Sequence, residues 1–411
     1  MSKFIKDQIS QLKPSATLAI NEESNKLKKS GKKIYKFGFG QSPFPVPDSI
    51  ILALKNASNK NTYLPMQGLE ELRKEIANDL NKNNDNSFEA NDIVVGPGTK
   101  ELMFLTQIAF NGDVLLPAPS WVSYYPQAMI AKNKVHWIQT DSNTNWFPTA
   151  KQIEDKIKTI KNKNLLLFLN SPNNPSGTIC ENLKEIATIA KKYKLIILSD
   201  EIYSRLTFDK KYLSISNFYP EGTIISTGLS KWCGAGGWRL GFFAIPSQLK
   251  ELKNSLKILC SESFTSVSAP IQYAAIEAYK GDHSEYLRKV KKILSFIGNY
   301  VYENLKSNII NIAKPEGGFY LFPEFTNAKF SSSPEMCKDI LNKTGVALLP
   351  GSDFGLDRTK MLARLSYTDF DGGNFIKNTS GSKKLDNTDL EKNAPNIVAG
   401  VNALKEWSNS L

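Results

Sequence analysis

Histidine is close to absent from this chain: His136 and His283 are the two in 411 residues. That argues against a nucleophile–histidine–acid triad and a histidine-rich metal centre, and no metal site is expected. The four cysteines, Cys180, Cys233, Cys260 and Cys337, are far apart with no paired spacing, which excludes a disulfide framework and a zinc site and suits a reducing cytoplasm. No apolar run approaches the roughly 20 residues that span a bilayer. The opening Met-Ser-Lys-Phe-Ile-Lys-Asp-Gln lacks the apolar core of a secretion signal. Arginine is scarce too, present only as Arg73, Arg205, Arg239, Arg288, Arg358 and Arg364. The formal charge of +12 is therefore almost all lysine, scattered through stretches such as Lys158-Thr-Ile-Lys-Asn-Lys163. That distribution reads as solvated faces, so neither nucleic acid nor membrane is expected as a partner, and a mild attraction for anionic substrates stays open.

What the chain does have is a regular alternation of short apolar runs with longer helical patterns, the mark of an α/β sheet. Strands are predicted at Ile93–Val95, Asp113–Leu116, Val135–Gln139, Leu165–Leu169, Leu195–Leu198, Thr223–Thr227 and Leu240–Ile245. Helices are predicted at Leu69–Asn81, Lys100–Phe110, Leu183–Lys192, Ser247–Leu259, Ile271–Ala278 and from about Ser284 to Lys306. Beyond that helix the pattern changes. Gly318-Phe-Tyr-Leu-Phe, a helix near Pro334–Lys343, Val346–Leu349 and Lys360–Tyr367 read as a smaller α+β unit. The polar stretch Asp371–Asn393 reads as a surface loop at the rim of the site, followed by a terminal helix. The expected division is a large domain over residues 48–300 and a small one made of 1–47 with 301–411.

Three segments carry chemistry. Ser226-Thr-Gly-Leu-Ser-Lys231-Trp-Cys-Gly-Ala-Gly-Gly-Trp-Arg239-Leu-Gly241 sets one lysine among small residues, with an arginine eight positions on. Small residues let backbone and a flat ligand approach closely. Pyridoxal phosphate needs that pair: an amine for its aldehyde and a cation for its phosphate. Lys194-Leu-Ile-Ile-Leu-Ser-Asp200-Glu-Ile-Tyr203 reads as a buried parallel strand with an acid and a phenol at its carboxyl end, where open α/β sheets bind ligands. A carboxylate facing the pyridine nitrogen keeps it protonated and the ring an electron sink. Leu165-Leu-Leu-Phe-Leu-Asn-Ser-Pro-Asn-Asn174-Pro175-Ser-Gly177 ends a third strand in a rigid turn that presents an amide. Each alone has a plain structural alternative: a glycine-rich surface loop, a strand-end cap with a core tyrosine, a strand-to-turn joint. In the order Asn174, Asp200, Tyr203, Lys231, Arg239 they converge on one cofactor.

These motifs resemble those of the class I/II aminotransferases, fold-type I enzymes dependent on pyridoxal phosphate. Lys13-Pro-Ser-Ala-Thr-Leu-Ala-Ile-Asn, Phe37-Gly-Phe-Gly40-Gln-Ser-Pro-Phe, Thr62-Tyr63-Leu-Pro-Met-Gln-Gly and Pro117-Ala-Pro-Ser-Trp121-Val-Ser-Tyr extend the resemblance over nearly the whole chain, toward the bacterial-type aspartate aminotransferase branch. It implies a seven-stranded, mostly parallel sheet in the large domain, a mobile small domain, and a homodimer with active sites at the subunit interface. The substrates it implies are small molecules, amino acids and 2-oxo acids, with aspartate first and aromatic amino acids next as donor and 2-oxoglutarate as acceptor.

By the same resemblance Lys231 binds the cofactor and moves the substrate's proton, with Asp200 and Tyr203 as its catalytic partners. Gly96-Pro-Gly98-Thr99-Lys100 opens a helix, and its free amides make an anion site. The resemblance assigns the cofactor phosphate to Gly98, Thr99 and Lys100 together with Ser230 and Arg239, and to Tyr63 from the partner subunit. Trp121 stacks on the ring, and Asn174 and Tyr203 reach its hydroxyl. Arg364, in Ala363-Arg364-Leu-Ser-Tyr367, holds the substrate α-carboxylate, with Gly40, Trp121 and Asn174 around it; an internal salt bridge is the other reading of Arg364. Glu262-Ser-Phe-Thr265-Ser266 resembles a further intersubunit contact. Two departures touch substrate and phosphate contacts: Gln41-Ser-Pro stands where Glu-Pro-Asp is frequent, and Gly228 where some members carry a hydroxyl. Two other functions stay open from the motifs: β-elimination or decarboxylation on the same scaffold, and a non-enzymatic regulator, for which no helix-turn-helix pattern precedes residue 48.

Overall fold

The computed structural model describes residues 4–10, 12, 16–83, 87–379 and 384–411. Lys13, Pro14 and Ser15 of the opening motif and residues 380–383 of the polar stretch lie outside them.

The apolar runs become strands because both of their faces are covered. In Leu165–Asn170 every residue is buried. Leu165, Leu167 and Leu169 enter one apolar cluster with Ile153, Ile186 and Ile197, while Leu166 and Phe168 enter another with Val114, Leu198 and Ile224. A continuous hydrophobic run is what a parallel strand with helices on both sides requires. The strands are β1 (Ile93–Gly96), β2 (Asp113–Ala118), β3 (Val135–Gln139), β4 (Leu165–Asn170), β5 (Ile196–Asp200), β6 (Thr223–Gly228) and β7 (Gly241–Ala244). They form one seven-stranded sheet in the order β1-β7-β6-β5-β4-β2-β3. Only β7 runs against its neighbours, β6 and β1. The register aligns Asn170 with Asp200 and Asp200 with Ser226, a single rung across β4, β5 and β6 at their carboxyl ends.

Five short strands follow: β8 (Ile310–Asn311), β9 (Tyr320–Leu321), β10 (Glu324–Phe325), β11 (Leu349–Pro350) and β12 (Ala363–Ser366). Strands β11, β12 and β9 make a three-stranded sheet and β8 pairs with β10. The N-terminal segment joins this part: Tyr35 bridges Val346, and the Ser366 amide donates to the Phe37 carbonyl at 2.7 Å.

All seven predicted strands of the large sheet are present within two residues of their expected ends. Among the described residues, five helices before residue 371 escaped the sequence pattern: Asp7–Ser10, Ala16–Lys29, Asp48–Ala57, Tyr124–Ala131 and Ala150–Lys158. The last starts at a reciprocal Thr149–Gln152 capping box, a signal that was there to be read. The surface-loop expectation for Asp371–Asn393 needs correction. Helices form at Gly372–Asn378 and Asn387–Asn393, capped by Asp371 and Asp386. Phe375 and Leu390, fully buried, anchor them to the core. Together with Leu385 and Ile376 they are enough to hold a polar stretch to the core when aspartates cap the first turn.

Candidate active site

The carboxyl ends of β4, β5 and β6 open into a cavity of about 560 Å³. It gathers residues far apart in sequence: Gly40, Thr99, Lys100, Trp121, Asn174, Asp200, Tyr203, Ser230, Lys231, Arg239 and Arg364 all line it. Of the residues expected at the site, Gly98 and Tyr63 are absent from the lining, Gly98 packing against the Arg239 guanidinium. Tyr63 is 89% exposed instead, free for a contact outside its own chain.

Lys231 follows β6. Its Nζ donates to the Gly40 carbonyl at 2.7 Å and lies over the rings of Tyr203 and Phe319. Burial pulls its pKa down to about 8, with Arg364 and Arg239 adding repulsion and Asp200 opposing them. Asp200 ends β5 and is 4% exposed. Burial pushes its carboxyl up to about 6, against the downward pull of the Tyr124 hydroxyl, the Ile202 amide and Lys231. The Tyr124 hydroxyl donates to Asp200 Oδ2 at 2.6 Å and, being buried, keeps its own proton. The Tyr124 ring also meets Trp121 edge to face, centroids 5.4 Å apart, so one side chain braces both groups.

Asn174 is fixed from behind: its backbone N–H donates to Asn170 Oδ1 at 2.7 Å, while Asn170 Nδ2 donates to the Asp200 carbonyl at 2.8 Å. Its Oδ1 accepts from Arg364 Nη1 at 3.0 Å. Arg364, on β12, is 2% exposed. Its Nη2 donates to the Gly38 carbonyl at 2.7 Å, and its buried Nε has no partner. Both of its hydrogen bonds end on neutral oxygens, so the salt-bridge reading of Arg364 gains no hydrogen-bonded carboxylate.

The anion end is built at the start of helix Thr99–Ala109. Gly98 has φ 87° and ψ 155°, a conformation open only to glycine, and a β-carbon there would collide with the Arg239 guanidinium. Arg239 itself sits at φ 54° and donates to the Gly236 and Pro97 carbonyls. Lys100 reaches over the Trp121 ring, Nζ 5.4 Å from the centroid, and burial and Arg239 lower its pKa. Gly228 has no room for the hydroxyl some relatives carry: a β-carbon would press on Gly241 Cα and the Leu240 carbonyl. That departure is a packing requirement.

Four cations (Lys100, Lys231, Arg239, Arg364) and one acid (Asp200) line the cavity, which therefore selects anionic ligands. Three functional-looking residues went unread in the sequence: Tyr124, Asn170 and Tyr320. Tyr124 stands three positions after Trp121 and Asn170 ends an apolar strand, so position was the only available sign.

An open α/β sheet with a lysine, an acid and an amide at its carboxyl edge defines a class of enzyme, and comparison with known proteins specifies it. The family model for aminotransferase class I and II matches residues 32–371. Aspartate aminotransferase of Bacillus sp. (strain YM-2) is 32% identical over 383 residues, 89% of this chain and 95% of that protein. An asparagine–oxo-acid transaminase of Streptococcus mutans is 30% identical over 377 residues, covering 88% and 93%. The aspartate aminotransferase of Thermus thermophilus solved with maleate superposes with TM-score 0.85 at 25% identity, over 98% of this chain and 100% of that one. The chain belongs to the class I and II aminotransferases, and it is a transaminase. The motif-level alternatives of a lyase, a decarboxylase or a regulator gain no support from these relatives.

Proposed function

We propose that this transaminase works with pyridoxal phosphate on Lys231, takes aspartate as its best amino donor with aromatic amino acids next, and passes the amino group to a 2-oxo acid such as 2-oxoglutarate. The carrying observation is that one buried amine with a pKa of about 8 shares a cationic cavity with one buried carboxylate.

The cavity suits the cofactor on its own chemistry. Arg239 and the helix start at Thr99 form an anion seat, with Ser230 beside it, and Gly98 leaves the space the guanidinium needs. Trp121 offers a ring face, Asp200 an acid held in place by Tyr124, and Asn174 and Tyr203 polar groups for a ring hydroxyl. Bound there, pyridoxal phosphate supplies an aldehyde that takes up the amino group and a ring that withdraws electrons from the substrate Cα.

The chain's own residues do the rest. Lys231 Nζ, neutral in a useful fraction near pH 8, takes the proton from Cα and delivers one to the cofactor side. The Asp200 carboxylate would hold a proton on the pyridine nitrogen of the bound cofactor and would be kept ionised by that charge. The Arg364 fork, oriented by Asn174, receives the α-carboxylate, and its unpartnered Nε leaves a donor for it. Lys100, whose backbone amide serves the phosphate, keeps its side-chain cation for a side-chain carboxylate, and this together with the likeness to aspartate aminotransferases favours aspartate.

Exposed Tyr63 supports a homodimer in which it reaches the partner's phosphate site. The bridge from Tyr35 to Val346 supports a small domain of residues 1–47 with 301–411 against a large one of 48–300. Four buried free thiols support a cytoplasmic setting. Among the described residues no helix is long and apolar enough to cross a membrane.

A screen of amino donors against 2-oxoglutarate tests the substrate reading. Aspartate should give the highest kcat/KM; asparagine or alanine ahead of it would overturn the choice of donor.

A further inference from the structure

Tyr320 belongs to none of the motifs that mark the site. It lies on β9 opposite Ser366 of β12, is 2% exposed, and lines the active cavity. Its contacts reach three site residues at once. The hydroxyl is 3.0 Å from the Tyr203 hydroxyl. The ring face lies beside the Arg364 guanidinium, Cζ 4.7 Å from the centroid. The hydroxyl also fills the space a side chain at residue 40 would need: a β-carbon on Gly40 would collide with the Tyr320 oxygen and ring. The carbonyl of Gly40 is the one that receives the Lys231 amine.

Two facing hydroxyls hold two protons. One makes the bond between them, and the other is left for a third group. If Tyr320 donates to Tyr203, then Tyr203 donates onward into the cavity, and the two O–H···O bonds run in one sense, each polarising the next. The reverse order would spend the Tyr203 proton on Tyr320 and leave the cavity without it. Neither phenol ionises, since burial raises the pKa of both.

We propose that Tyr320 is a positioning residue for the transamination site: it turns the Tyr203 proton toward the cofactor's ring oxygen, supports the Arg364 guanidinium from its face, and makes glycine obligatory at position 40. The ring-oxygen part rests on the cofactor reading given above.

Tyr320→Phe keeps the ring and removes only the oxygen. In the purified holoenzyme the pH midpoint of the visible cofactor absorbance should rise by about half a unit to one unit. Without the Tyr320 donor the Tyr203 O–H is less polarised and donates more weakly, which leaves more charge on the ring oxygen, so the neighbouring protonated group holds its proton more tightly. The amino acid KM should change less than about twofold in Tyr320→Phe, and rise about threefold or more in Tyr320→Leu, which also removes the face beside Arg364. Gly40→Ala should lower the melting temperature of the otherwise unchanged protein, and lower it less in the Tyr320→Phe background. An unmoved or lowered absorbance midpoint overturns the relay through Tyr203. Equal KM values in Tyr320→Phe and Tyr320→Leu overturn the support of Arg364. Equal Gly40→Ala penalties in both backgrounds overturn the steric pairing. Wild-type protein that takes up no pyridoxal phosphate sinks the preceding reading instead, and the Gly40 cycle, read by melting, still decides whether Tyr320 governs residue 40.

Discussion

An amine buried among cations gives up its proton early, and Lys231 meets that condition more fully than an exposed lysine could. Its pKa of about 8 has burial as the first cause and Arg364 as the second. With the cofactor removed, a small aldehyde reagent should therefore modify Lys231 with a half-maximal rate near pH 8, whereas exposed lysines follow about 10.4. A Lys231 profile that coincides with the bulk lysines would contradict the burial argument. The depressed value also makes the unfolded chain the stronger proton binder between about pH 8 and its ordinary range, so the cofactor-free protein gains stability as pH rises through that window. Asp200 and Glu201 are neighbours that burial treats alike, pushing them to about 6 and about 7. Their partners differ. Asp200 faces Lys231 and the cavity, while Glu201 accepts from the hydroxyls of Ser199 and Ser214 and stays out of it. At this scale the sequence was informative where a residue type is rare: six arginines make Arg239 and Arg364 conspicuous. It was silent on Tyr124 and Tyr320, because phenols in aromatic-rich runs look like core until their hydroxyl partners are known.

Elements set the direction in which those residues act. The start of helix Thr99–Ala109 depends on Gly98, whose backbone conformation and missing β-carbon both serve Arg239. Gly98→Ala should cost about 1–3 kcal/mol of stability from backbone strain alone. It should also displace the guanidinium, so that pyridoxal phosphate washes out on dialysis under conditions where the unmodified enzyme retains it. Denaturant melts together with cofactor absorbance after dialysis check both halves, and full retention would detach Arg239 from the phosphate seat. The seven strands were legible because each is an unbroken apolar run covered on two faces, as in β4. The helices Asp48–Ala57 and Tyr124–Ala131 were not. Tyr124–Ala131 is apolar on nearly every side and so has no period to detect. The capped helices inside 371–393 were hidden by composition, since their hold on the core comes down to residues such as Phe375 and Leu390.

For the molecule as a whole, residues of one chain line the cavity, and the tyrosine expected at its phosphate end is not among them. Tyr63 stands 89% exposed and away from the cavity lining. If Tyr63 completes the partner's site, Lys231→Ala and Tyr63→Ala each cripple turnover alone. Mixing the two after reversible subunit exchange should restore measurable activity, because a hybrid dimer concentrates both lesions in one site and leaves the other intact. No recovery, with exchange verified by mass, would mean that Tyr63 acts within its own chain or not at all. The aligned rung Asn170, Asp200, Ser226 has a consequence of a different kind. Adjacent strands stand about 4.8 Å apart, and side chains along a strand return to the same face only every second residue. The groups that leave the ends of β4, β5 and β6 are thus spaced by the sheet as by the teeth of a comb. Their separation can be altered in whole teeth but hardly between them. A one-residue insertion in β5 would carry the Asp200 carboxylate to the opposite face rather than nudge it. Diversity in what such a cavity accepts must then come from the loops and from the C-terminal strands that bear Arg364 and Tyr320, while the spacing beneath them stays fixed.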